Sequence, residues 1–371
     1  VTTPPKITTA LALQGGGALG AYQLGAYQAL AQEGIEPDWF SGTSIGAIAA
    51  AILAGNPPTE RAAKLQEFWH EISRPDSVGL FPGKPFQRLQ TQVSYAEALA
   101  FGQPNFFTPR PVNPLLALPG PDATSFYDTG PLSATLERLI SFTRLNDGSV
   151  RLMLGATDIA TAVLTVFDNA KTRICADHVL ASGALPPGFP PVEIGGAFYW
   201  DGGLLSNTPL DFIVEALPAG HNVVFVINLW QAAGPVPQTL DEVLWREKQI
   251  QFATRANMQV DAMANRLRVR HGQSAAATEN GTAEPRQVDL VQIDLRSERD
   301  QFPFSDVDFS RGSIEERRAA GFRDMRTALT AQPWAAPPLP AHGGARVHRV
   351  ADGRVATEPL AGEPAPGARF A

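Results

Sequence analysis

Twice within the first fifty-four residues, a short β-rich run ends in glycine and passes straight into an apolar helical stretch. Ile7–Leu13 runs into Gln14-Gly15-Gly16-Gly17-Ala18-Leu19-Gly20, then a helix from about Ala21 to Gln32 closed by Gly34. Trp39–Ser41 meets Gly42-Thr43-Ser44-Ile45-Gly46 and a second apolar helix to Ala54. Strand, glycine turn and helix in alternation argue for an α/β fold with a mostly parallel sheet.

Further along, Val150–Thr157, Val163–Phe167, Asn222–Leu229 and Val288–Leu295 read as strands. Val192–Ile194 and Ala197–Trp200 flank Gly195-Gly196, a β-hairpin signal. Helices are expected from Asn56 or Thr59 to His70, from Asp128 to Ile140, over Cys175–Ala181 and over Asp241–Leu267. Ser313-Ile-Glu-Glu316 reads as a capping box opening a helix to Leu329, and Gln273–Pro285 as loop. Residues 74–128 differ in character. Nine prolines interrupt them, and Phe81, Phe86, Phe101, Phe106, Phe107, Phe126 and Tyr127 stud them. Two readings stand for this insertion: an irregular surface excursion with its own small core, or an apolar lid or acyl groove. After Pro333 the chain is rich in Ala, Pro and Gly, and a weakly ordered tail is expected over 334–371.

Two glycine motifs carry chemistry. Gly15–Gly20 satisfies G-x-G-x-x-G between a strand and a helix, with Asp38 near the place of a ribose-binding acid. Glycines let backbone N–H groups converge on negative charge at a helix N-terminus. That charge is either a pyrophosphate or the oxyanion of a tetrahedral intermediate. Gly42-Thr-Ser44-Ile-Gly46 is G-x-S-x-G on a strand-to-helix turn. Small residues must flank a serine held on so sharp a bend, and the Ile45 N–H can point to the same spot as the glycine-loop amides. A serine nucleophile needs a base. Asp201, at a strand end before Gly202-Gly203, is better placed than any of the six histidines, of which His178 is the nearest candidate.

Gly15–Gly20, Gly42–Gly46 and Asp201–Gly203, in that order, resemble the patatin-like phospholipase family. Ala181-Ser-Gly-Ala-Leu-Pro-Pro-Gly-Phe-Pro-Pro191 and Asn207-Thr-Pro209 resemble it too, so the likeness runs over roughly residues 8–230. Ile250–Arg270 and Asp308–Leu329 are similar to the C-terminal extension of a bacterial subgroup. The resemblance implies a three-layer α/β/α sandwich and a serine–aspartate acyl hydrolase. Ser44 would be the nucleophile and Asp201 the general base. Gly42 and Gly46 would form the nucleophile elbow, and Gly15, Gly16, Gly17, Ala18 and Ile45 the oxyanion hole. At Leu19 the chain departs from many members, which carry Lys or Arg there. The expected organisation is a catalytic domain over 1–230 that contains the 74–128 insertion, for which both readings stand, and an α/β extension over 231–333 packed on it.

Composition narrows the rest. Lys+Arg number 30 against 37 Asp+Glu, a net charge of −7 that argues against a nucleic-acid binder. The lone Cys175 allows neither an internal disulfide nor a thiolate zinc site, no ligand cluster is visible, and no metal or cofactor is expected. No apolar run approaches the ~20 residues of a bilayer span. Without a visible signal peptide, a cytoplasmic location, peripheral at a membrane, is expected. The expected partner is a lipid or hydrophobic ester met at a transient membrane or micelle surface. The Asp241–Leu267 helix reads as a domain-packing face or as a homo-oligomer contact. Two rival readings are a nucleotide-dependent oxidoreductase using Gly15–Gly20, which leaves Ser44 and Asp201 without roles, and a non-catalytic scaffold, which needs neither.

Overall fold

The computed structural model describes residues 7–76, 84–120, 123–277, 286–296, 302–336 and 344–358, with backbone only at 84–85 and 270–277. Phe81 lies outside them. The strands are β1 (Thr8–Leu13), β2 (Trp39–Gly42), β3 (Thr108–Pro109), β4 (Tyr127–Asp128), β5 (Arg151–Asp158), β6 (Leu164–Asp168), β7 (Val192–Ile194), β8 (Ala197–Asp201), β9 (Gly220–Asn228), β10 (Arg286–Asp294), β11 (Ala345–Ala351) and β12 (Arg354–Thr357). The helices are α1 (Ala21–Gln32), α2 (Ile45–Ala54), α3 (Pro58–Glu71), α4 (Lys84–Phe101), α5 (Gly130–Leu139), α6 (Phe142–Leu145), α7 (Ala176–Gly183), α8 (Leu210–Ala216), α9 (Leu240–Ala277) and α10 (Arg311–Ala331).

One sheet runs β12-β11-β10-β9-β1-β2-β5-β8-β7, with β6 paired to β5 beside this path. The neighbours from β11 through β5 are parallel, and β12, β6, β7 and β8 are antiparallel. Alternation along the parallel strands sorts the side chains into two cores. Leu11, Leu13, Phe225, Ile227, Val291 and Ile293 pack with α1, α2 and α10. Ala10, Ala12, Val224, Val226 and Leu290 pack with α8 and α9. Strands covered on both faces read as near-continuous apolar runs, as in VVFVI of β9. The expected three-layer α/β/α sandwich is therefore what the chain forms. Among the described residues, no helix is long and apolar enough to cross a membrane.

Several expectations need correction. The tail from 334 is not weakly ordered throughout: β11 joins the sheet beside β10 and β12 turns back on it. Within the extension over 231–333, β10 joins the same sheet beside β9. The insertion is not irregular throughout, because it contains the 18-residue α4. Helix α9 continues to Ala277, taking in the first part of the expected loop, whose remainder lies outside the described residues. Helix α3 starts at Pro58 on Pro57. Asn56 does not cap it; its amide donates to the carbonyls of Ile52 and Leu139, both at 2.8 Å. Helix α10 begins at Arg311, so Ser313 lies inside its first turn, buried, and forms no capping box.

Candidate active site

Register brings the motifs together. Leu13 of β1 lies opposite Gly42 of β2, and Gly42 opposite Leu154 of β5. Two residues further along β5, Ala156 faces Asp201 at the end of β8. The glycine loop, the serine turn and the aspartate thus meet where the carboxyl ends of parallel β1, β2 and β5 lie beside the end of antiparallel β8.

Ser44 is the N-cap of α2 and holds φ 57°, ψ −126°, a strained conformation for a residue with a side chain. The residues two positions to either side must be glycine. A Cβ on Gly42 would overlap the carbonyl of Gly46, and one on Gly46 would overlap the carbonyl of Leu13. The Ser44 N–H donates to the carbonyl of Ser182 at 3.1 Å and to its Oγ at 3.2 Å. Ser182 is itself anchored by donating to the Gly155 carbonyl at 2.6 Å. Asp201 is buried, and its Oδ1 accepts from the Gly203 N–H at 2.7 Å. Burial pushes its pKa up to about 6, against the lowering effect of hydrogen bonds from the Ser44 hydroxyl and the Gly203 N–H. Its flanking Tyr199 and Trp200 do not line the cavity that Asp201 faces.

In the glycine loop, the residues expected to donate to an oxyanion divide. The Gly15 N–H is spent on the Asn207 carbonyl at 3.2 Å. The Gly15 carbonyl accepts from Asn207 Nδ2 at 2.9 Å and from Trp230 Nε1 at 2.8 Å. Gly15 is therefore the fixed foot of the loop and is removed from the expected donors. Among the described residues, the N–H groups of Gly16, Gly17 and Ala18 have no acceptor, while Leu19 N–H turns back to the Gly16 carbonyl at 3.1 Å. On α2, the Gly46 and Ala47 N–H groups close onto Thr43 and Ser44, both at 2.9 Å, and that of Ile45 does not. Gly16, Gly17, Ser44, Ile45 and Asp201 all line one cavity of about 750 Å³; Ala18 lies behind it, and Gly42 and Gly46 beneath the turn.

The walls of the cavity are largely apolar, and the insertion supplies many of them. Tyr95 and Leu99 of α4 join Phe106, Phe107, Phe126 and Tyr127. Phe106, Phe107 and Tyr127 surround Phe189, with ring centroids 5.2–6.4 Å from it. Of the two readings of 74–128, the lining favours the apolar groove. Apart from Asp201, the charged side chains on the walls are Lys248 and Asp306, which pair with each other. The Lys248 ammonium also stands 5.4 Å over the Trp230 ring.

Three contributors escape a reading by motif. Trp230, Asp306 and Arg317 lie outside every glycine pattern. Arg317, buried in α10, donates to the carbonyls of Ala18, Asp308 and Ser305 at 3.1, 2.9 and 2.8 Å. An arginine in a helix is ordinarily a surface residue, so nothing local marks this one. Two alternative candidates find other employment. Asp38 accepts from the Thr9 N–H at 3.1 Å, tying β2 to β1. His178 folds back on the Cys175 N–H at 3.1 Å, edge-on to Phe167, and does not line the cavity.

In layers and site, the chain is an α/β sandwich presenting a serine on a strained strand–helix turn. Residues 11–214 match the family model described as patatin-like phospholipase, and residues 272–341 match a second described as patatin phospholipase. The first match covers more than half the chain, which belongs to the patatin-like phospholipase family. The chain is 25% identical over 223 residues to patatin-like phospholipase domain-containing protein 6 of Homo sapiens, covering 60% of this chain and 13% of that protein. It is 24% identical over 234 residues to lysophospholipase NTE1 of Candida glabrata, covering 63% and 11% respectively. The chain thus spans a small part of the curated relatives it matches. The crystal structure of VipD from Legionella pneumophila superposes with a TM-score of 0.40 at 16% identity, covering 89% of this chain and 68% of that one.

Proposed function

We propose that the chain hydrolyses carboxylic esters of lipids through an acyl-serine intermediate. One observation carries the reading: Ser44 and the buried Asp201 line one cavity together with Gly16 and Gly17, whose N–H groups have no acceptor among the described residues, and the Ser44 hydroxyl is near enough to lower the pKa of the Asp201 carboxyl against the effect of burial. Asp201 accepts the Ser44 proton as Oγ attacks the ester carbonyl. The N–H groups of Gly16, Gly17 and Ile45, with Ala18 behind them, hold the oxyanion. When the tetrahedral intermediate collapses, the protonated Asp201 returns the proton to the leaving alcohol. Water then attacks the acyl-serine, losing its proton to Asp201; the second tetrahedral intermediate collapses, Asp201 returns that proton to the departing Ser44 Oγ, and the acid is released. An ordinary aspartate is a weak base for an alcohol, and burial that moves its pKa to about 6 narrows that gap.

The apolar walls suit an acyl chain. The Lys248–Asp306 pair gives the cavity a charged end able to meet a polar headgroup. Intact-protein mass after a fluorophosphonate probe, with p-nitrophenyl butyrate and palmitate turnover, tests the reading. A single adduct and both activities are expected, all lost in Ser44→Ala. A folded wild type that takes no adduct overturns it.

A further inference from the structure

Helix α4 buries polar side chains and exposes large apolar ones. Gln90, Thr91 and Ser94 are buried beside Ala98, and Thr91 Oγ1 donates to Asp308 Oδ2 at 2.9 Å. Phe86, Leu89, Leu99 and Phe101 are exposed, with Gln92 and Ala96 among them. Beside the end of this helix stands a loop of the same character. Leu115, Leu116 and Leu118 are 80%, 82% and 87% exposed, and no charged residue occurs from Pro111 to Pro121. Scattered exposed aliphatics are ordinary, whereas a contiguous group marks a contact surface.

The surface is continuous with the cavity mouth. The base of the loop is held where the Arg110 N–H donates to the Phe126 carbonyl at 3.0 Å. The Tyr127 hydroxyl donates to the Leu99 carbonyl at 3.1 Å, joining that base to α4. Leu99 and Phe126 both line the cavity and are partly open to solvent.

We propose that the outer face of α4 and the Val112–Leu118 loop dock on a lipid bilayer of neutral headgroup charge, with the cavity mouth turned onto it. The choice of a bilayer over a protein rests on the lipid-ester reading above and on the position of the mouth. A protein seated here would close the route to Ser44, whereas a bilayer delivers an acyl chain through it without crossing water. The charge pattern selects a neutral surface. The loop is uncharged, Arg88 of α4 is held by Asp241 and Glu242 at 3.4 and 3.2 Å, and the whole chain carries −7. Attraction to anionic lipid needs a basic cluster.

Flotation of the full chain with phosphatidylcholine vesicles, alone and with phosphatidylserine added, tests the surface. The background is Ser44→Ala, so that hydrolysis does not enter the measurement. Binding to phosphatidylcholine is expected, with no gain from phosphatidylserine. Leu115→Glu with Leu116→Glu should lower it at least tenfold, while Val269→Glu, an exposed aliphatic 21 residues beyond Lys248 on α9, should leave it unchanged. With Ser44 intact, the double variant should lose long-chain turnover in vesicles and keep p-nitrophenyl butyrate turnover. Equal flotation of double variant and parent overturns the proposal, as does binding that requires phosphatidylserine. A dimer that the double variant dissolves, without vesicle binding, also overturns it and makes the surface a subunit contact. Loss of flotation in the double variant alone, in a protein that turns over no ester, sustains the docking surface and sinks the hydrolase reading.

Discussion

A Cβ on Gly17 would overlap the carbonyl oxygen of Asp306, so the glycine loop and the turn that opens toward α10 are in backbone contact. Gly17 also holds φ +55°, where glycine alone is unpenalised. Gly17→Ala is expected to push the two segments apart and misdirect the loop amides. Turnover should fall about 100-fold, as for loss of one oxyanion donor. Stability should fall by about 1–3 kcal/mol for the strained backbone. Steady-state kinetics beside denaturant unfolding checks both, and wild-type turnover would remove Gly17 from the donors.

Asp201 must be ionised to accept a proton, so turnover should rise with pH through about 6. Asp201→Asn should lower turnover by about 10²–10⁴-fold. It should also stabilise the fold in alkali. The folded pKa is raised, so the wild-type carboxyl favours the folded state only while it stays protonated. Its relative contribution is lost as the pH rises through about 6. The resulting advantage of Asn is about 3 kcal/mol at alkaline pH, from a shift of roughly two pH units. It should vanish in acid below the ordinary aspartate pKa. Urea unfolding of both proteins across pH measures this, and parallel curves would show that Asp201 is not held in a desolvated site.

Arg317→Lys should reduce turnover about tenfold or more on short and long esters alike. One ammonium cannot reproduce the guanidinium fork that reaches three carbonyls, including that of Ala18. Its effect should appear in kcat with KM for p-nitrophenyl butyrate little changed, because Arg317 positions the loop and does not line the cavity. A change confined to KM would contradict this role.

At the other end of the strands, Asp289 is fully buried among His221, His348 and Arg346. Burial alone would raise its pKa; hydrogen bonds from the two histidines and Arg346 overcome that and hold it well below the usual range. The contribution of this network is present above the ordinary carboxylate pKa and is lost as the pH falls. Arg346→Met is expected to cost about 3–5 kcal/mol at neutral pH by leaving a buried charge under-compensated. Turnover per folded molecule should not change, since Asp289 aligns with Val223 near the start of β9, away from Ser44. Urea unfolding paired with active-site titration separates the two effects.

Legibility in the sequence followed the range of the interactions. The Gly42–Gly46 turn could be read directly, because its steric demand falls on residues two positions from the serine. Asp201 was legible by the company it kept and by family resemblance, since its burial depends on strands brought in from elsewhere. Strand β11 was not: Arg346 and His348 are buried because Asp289, more than fifty residues earlier, hydrogen-bonds to both. The strand therefore lacks the apolar alternation that announces a half-buried one. Helix α4 was hidden for another reason: prolines flank it, and its buried residues mix Gln90, Thr91 and Ser94 with Ala98, so no apolar stripe announces it.

The ten-stranded sheet also decides where this chain can be divided. A fragment ending after β9 would retain the residues from Gly15 to Asp201, yet it would expose nine residues of β9 that now pair with β10 along their whole length. Such a bare, apolar edge invites pairing with another copy. It would lose Arg317 as well, which donates to the Ala18 carbonyl, and Asp306, whose backbone packs against Gly17. The first two-thirds of the sequence is therefore not a module that can be cut free and used alone, and a shortened version is expected to aggregate before it can be assayed.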